Sequence, residues 1–227
     1  MRRNRLLYQA LLLALAAFLL LPGAALAITL DGIFDDWTGQ PCIPDPLGDS
    51  PTNNTDLTSV CWATQPGVSI IYFMFERDSA NGPVYFTLLV DANNNGGYHD
   101  DVDRWVFAFY SPTSRDSEVS VQVRTPGGTV LNSYGGDWGE SRAEGGRRAE
   151  AMVSFADLGI DVGQTISMIA GAAQNNNLPN IDTAPDSGSI TWSPIPVLGW
   201  PLLGLMVAGF IAWTWYRRGR YVWARPS

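Results

Sequence analysis

The side chains whose spacing carries the most chemistry lie between Asp91 and Asp103. Asp91, Asn93 and Asn95 alternate before Gly96, and Asp100, Asp101 and Asp103 then return three more carboxylates. Calcium takes about six to eight hard oxygen ligands, and alternating Asp and Asn around a glycine turn can aim several at one point. The run starts like an EF-hand loop. Val102, however, stands at the twelfth position, where that loop needs a bidentate acid, and no helical pattern flanks it. The expectation is an irregular calcium-binding β-loop with Asp91, Asn93, Asn95, Asp100, Asp101 and Asp103 as ligands. The alternative is a plain turn that uses Asn, Asp and Gly for their backbone tolerance.

Aromatic residues come next, because sugars bind by stacking on rings beside fixed polar groups. Trp138 sits in a Gly-Gly-Asp-Trp-Gly run, Tyr134 lies nearby and Tyr98 belongs to the acidic loop. These three are the candidate carbohydrate platform. Trp37, Trp62 and Trp105 border apolar strands and are expected in the core. Catalysis has few residues to work with. His99 is the single histidine, lysine is absent, and Cys42 and Cys61 are the two cysteines. That removes Ser-His-Asp, Cys-His and Schiff-base arrangements, and no stretch resembles a hydrolase signature, so the chain is read as a binding protein and not an enzyme.

These residues must be held by a β framework. Runs rich in β-branched and aromatic residues cover 58–63, 68–75, 84–90 and 104–110, separated by Gly, Pro, Asn and Asp turns. Residues 118–124 alternate cleanly, with Val119, Val121 and Val123 on one side. Residues 148–155 repeat the pattern with Ala149, Ala151, Val153 and Phe155 inward. Segments 28–30, 165–172 and 190–192 complete the expected strands, and 155–158 is expected to form one helical turn before Gly159. The predicted class is all-β: an antiparallel, jelly-roll-like sandwich spanning 28–193, followed by a short linker at 194–196.

The exported part, 28–196, holds all twenty-two acids and seven of the fourteen arginines, a net charge of −15. Such a surface repels nucleic acid and attracts cations, and it also keeps an extracellular domain soluble. An isolated cysteine pair in an oxidising compartment predicts a Cys42–Cys61 disulfide. The loop it closes contains three prolines, Gly48 and Asn53-Asn54, so it has little regular structure of its own.

The ends supply an address. Arg2, Arg3 and Arg5 precede an apolar stretch from Leu6 to Leu21, then Pro22-Gly23 and the small-x-small run Ala25-Leu26-Ala27. This reads as a signal peptide over 1–27. Residues 197–216 are apolar and uncharged, about the length that crosses a hydrocarbon core. Arg217, Arg218, Arg220 and Arg225 follow, which predicts a single-pass transmembrane helix with a cytoplasmic tail at 217–227. The main domain is then extracytoplasmic, held at the cell membrane by one C-terminal helix. Ile195-Pro196-Val197-Leu198 also resembles the Ile-Pro-Thr-Leu type of bacterial sorting tail, with Val197 in the threonine position.

Four places resemble the β-sandwich domains similar to carbohydrate-binding module family 9, related in fold to DOMON domains. Ile28-Thr29-Leu30-Asp31-Gly32 with Asp35-Asp36-Trp37 looks like their opening. Leu89-Val90-Asp91-Ala92-Asn93-Asn94-Asn95 looks like their strand that ends in an Asp/Asn-rich loop. Glu150 to Gly159 looks like their Glu-bearing strand and Phe/Leu-Gly turn, and Ile190-Thr191-Trp192-Ser193-Pro194 like their closing strand. The resemblance implies a sandwich fold, calcium and carbohydrate binding. A second expectation is a structural or assembly protein of the cell envelope, acting through protein contacts without sugar.

Overall fold

Alternation of apolar residues with period two buries one face of each strand, and two such faces close on each other. The computed structural model describes residues 27–65, 67–79, 82–110, 119–134, 139–140, 146–175, 182–193 and 209. Its strands are β1 (Cys42–Pro44), β2 (Leu57–Thr64), β3 (Ile70–Arg77), β4 (Val84–Asp91), β5 (Arg104–Tyr110), β6 (Val119–Arg124), β7 (Val130–Tyr134), β8 (Gly139–Glu140), β9 (Arg148–Ser154), β10 (Ile166–Ala173), β11 (Asp182–Ala184) and β12 (Ile190–Trp192). One sheet has the order β1-β2-β3-β9-β8. The other runs β11-β10-β4-β5-β6-β7, with β12 also pairing β10. All the pairings are antiparallel.

The core lies between the two sheets. Val60, Ile71, Phe73 and Phe75 of the first face Phe86, Leu88, Val121 and Met168 of the second, and the Phe75 and Phe86 rings stack at 5.1 Å. Val119, Val121 and Val123 are buried, as are Ala149, Ala151 and Val153, so the expected alternation sets the inward face of β6 and β9. The helical turn α1 (Phe155–Leu158) also forms. The Ser154 hydroxyl accepts the Asp157 N–H at its start, and Gly159 ends it at φ 67.

Two expectations about the strands change. Residues 28–30 do not join a sheet. The outer face of the first sheet carries Cys61, Ala63, Tyr72 and Met74, and the segment from Ile28 to Trp37 lies over that apolar patch as a strap, burying Ile28, Phe34 and Trp37. The strands β1, β7, β8 and β11 were not anticipated. β1, β8 and β11 have three residues or fewer, and β7 leaves Val130 and Leu131 exposed, so their apolar period is too short or too weak to read. The Cys42–Cys61 disulfide is present and joins directly opposed residues of β1 and β2.

No helix among the described residues is long and apolar enough to cross a membrane. The apolar segment 6–21, the segment 197–216 apart from Gly209, and the basic tail 217–227 lie outside the described residues.

Candidate functional site

The loop between β4 and β5 brings most of its predicted ligands into one network. Asp91 is buried, and its two oxygens accept the Asn95 and Gly96 N–H groups at 3.1 and 2.7 Å. Asp103 is equally buried and accepts the Ala92 N–H at 3.2 Å and the Asp100 N–H at 2.7 Å. Asn93 and Asn95 accept N–H groups within the loop and donate to Asp100. Asp101 is exposed and offers its carbonyl to Arg104. The two buried carboxylates thus hold the turn through backbone amides. His99 lies edge-on against Trp105 at 5.4 Å.

The expected sugar platform divides. Trp138 lies outside the described residues. Tyr134 packs its ring against the core, and its hydroxyl bonds Asp157. Burial, together with the Asp157 charge, pushes this phenol up to about 12. Burial also pushes Asp157 up, but hydrogen bonds from Ser154, Tyr134 and Asn132 outweigh it and hold the carboxyl below its ordinary value. Tyr98 is half-buried. Its carbonyl accepts the Trp105 indole N–H, and its phenol is raised chiefly by burial. Neither tyrosine presents a free ring edge and hydroxyl together. The outward face of the second sheet does carry adjacent rings. Tyr85 on β4 and Phe109 on β5 are opposed residues, stack at 4.3 Å and are both partly exposed. On the same face the Arg124 guanidinium lies 4.5 Å over the Phe107 ring.

A second acidic group was not anticipated. Among the described residues, the side chains whose oxygens converge are Asp45, Asp49, Asp182 and Asp186, with one oxygen from each lying within 4.8 Å of the others. Asp45 and Asp49 belong to the long loop of the β1–β2 hairpin, whose base the disulfide closes. Asp182 opens β11. Asp186 lies on an excursion: Ala184 pairs with Ala170 and Ile190 with Met168, so 185–189 loop out of the sheet edge between two nearby positions of β10.

The hairpin loop is rigidly framed. Thr55 is fully buried and bonds the hydroxyls of Ser50 and Thr52. Arg77, fully buried, donates to the Asn54 carbonyl and side chain, the Gly146 carbonyl and the Gly82 carbonyl at 2.7–2.9 Å. Burial lowers that guanidinium to about 10. Asp56 accepts the Gly48 N–H at 2.8 Å, fixing the turn that carries Asp49.

Among the described residues, no basic side chain forms an ion pair with the acids of this group. Asp45 is 8% exposed, and neither of its oxygens has a hydrogen-bond partner. Burial first, then the charges of Asp182, Asp186, Asp49 and Asp56, raise it to about 7. Asp182 is raised by burial although it accepts the Leu57 and Thr183 N–H groups, and Asp186 is raised by burial and by Asp49. The ion pairs among the described residues lie elsewhere, between Glu76 and Arg147 and Arg148. Asp45-Pro46-Leu47-Gly48-Asp49 reads locally as a turn, and nothing in it points to a partner more than 130 residues away.

A third buried acid ties the strap down. Glu150 on β9 accepts the Gly32 N–H at 2.7 Å and the Trp37 indole N–H at 3.0 Å. Three residues singled out separately in the sequence, Gly32, Trp37 and Glu150, therefore meet. No family model matches the chain, and no curated protein or solved structure matches it either.

Proposed function

We propose that this chain is a membrane-tethered, extracytoplasmic binding module, and that its ligand is carbohydrate held on the outward face of the second sheet. The observation that carries the reading is the partly exposed Tyr85–Phe109 stack. Adjacent rings on a rigid sheet face suit the apolar faces of sugar rings, and Gln122 and Arg124 on neighbouring β6 supply polar edges. Export rests on the apolar segment 6–21 and the tether on the apolar segment 197–216, and the disulfide suits an oxidising compartment. A binding role in place of catalysis is supported by the residues themselves: both cysteines are spent in the disulfide and His99 packs on Trp105.

The test is a glycan array probed with the full-length chain in detergent, alongside Tyr85→Ala, Phe109→Ala and Trp138→Ala. The expected result is retention of a glycan class and roughly tenfold weaker binding in the first two variants. Retention of no glycan, with co-purification of an envelope protein, would refute it and favour assembly through protein contacts.

A further inference from the structure

We propose that Asp45, Asp49, Asp182 and Asp186 bind one divalent cation of the calcium class, which clasps the β1–β2 loop of the first sheet to the edge of the second. The convergence of four carboxylates is the first observation. The second is independent of it: Asp45 is more than nine-tenths buried, both its oxygens lack any donor, and it is aimed into the group. A buried carboxylate without a partner is costly, and a bound ion removes that cost.

The donor set selects the ion. All four groups are hard carboxylate oxygens, which suit calcium, magnesium or manganese over softer metals. Four carboxylate oxygens within 4.8 Å of one another can share one coordination sphere, and calcium accepts about six to eight oxygens in the irregular geometry that separate loops supply. Magnesium needs about 2.1 Å and near-ideal octahedral geometry, which two loops from different sheets do not offer. The frame is already built on one side, since Arg77 and Thr55 hold the hairpin loop and the disulfide closes its base. On the other side, Asp182 already bonds across to the Leu57 N–H at 2.6 Å, and the 185–189 excursion brings in Asp186. The cation would tie that excursion down. This site is separate from the Tyr85–Phe109 face, and either assignment can fail alone.

The experiment uses the full-length chain in detergent, stripped with EDTA, then titrated with calcium chloride by calorimetry and melted with and without calcium. The expected result is saturable binding and a rise in Tm of about 5–10 °C at a hundredfold excess over Kd. Asp45→Asn abolishes that rise without lowering the Tm of the stripped protein, because a buried like-charge group has lost one charge. A purely structural Asp45 would instead lower the Tm in EDTA. Asp186→Asn, on an exposed excursion, weakens calcium binding at least tenfold and supplies the test should Asp45→Asn not fold. Protection of 185–189 from proteolysis by calcium is the companion readout. No calcium uptake by the stripped wild type, an equal response to magnesium, or a calcium response that survives in both variants and is lost in Asp91→Asn would each overturn the proposal.

Discussion

Replacing Glu150 with glutamine should change how stability depends on pH, not merely how large it is. Glu150 is fully buried beneath the strap, and burial is the main force raising its carboxyl to about 7 from an ordinary 4.5. The Trp37 and Gly32 hydrogen bonds pull the other way, and the Asp36 charge adds to the rise. The folded protein therefore keeps this proton longer than the unfolded chain does. Its contribution is fully present below about pH 4.5 and is lost as pH climbs towards 7. At about 1.4 kcal/mol per pH unit, the loss over that interval is about 3 kcal/mol. Glutamine does not titrate. Its amide keeps one acceptor but turns N–H groups towards either Gly32 or Trp37, a constant cost of about 1–3 kcal/mol. Urea unfolding of both proteins in EDTA, followed by tryptophan fluorescence from pH 4.5 to 7.5, isolates the effect, because every other acid is common to both. Wild type should lead at pH 4.5, and its lead should shrink by about 3 kcal/mol by pH 7.5. A gap that stays constant or widens with pH would refute the reasoning.

Three other positions give sharp expectations. Arg77→Lys should cost about 3–5 kcal/mol in the same unfolding assay, because one ammonium cannot reach the Asn54, Gly146 and Gly82 oxygens together; a loss below about 1 kcal/mol would contradict this. Gly146→Ala should cost about 3 kcal/mol or more, since its φ is 84° and a Cβ there would meet the Tyr110 ring at 2.0 Å. Gly128→Ala has a similar φ of 86° but open space around it, and should lose only about 1 kcal/mol.

Parts of the fold were legible residue by residue. β5 and β12 begin and end where the β-branched and aromatic runs do, and Gly159 ends α1 because only its left-handed backbone closes the turn. Ile28-Thr29-Leu30 has strand composition, yet it lies in the strap and not in a sheet. Its partner is the outer apolar face of a sheet, which local pattern does not reveal. Asp91 and Asp103, expected as calcium ligands, are buried and accept backbone amides, a use that looks the same in sequence as metal ligation.

Sequence alone determined the all-β class, the alternating faces of β6 and β9, the disulfide and the lysine-free acidic balance. Each is a local or compositional property, set by side-chain period, by a lone cysteine pair or by counting. Which acids meet was decided only in three dimensions. Asp45 and Asp182 become neighbours because β2 lies at the hairpin end of one sheet, β11 edges the other, and Asp182 bonds the Leu57 N–H between them. Acids spread along the chain count simply as surface charge until the fold gathers them. Once gathered, with Asp45 buried and unpartnered, they call for a cation.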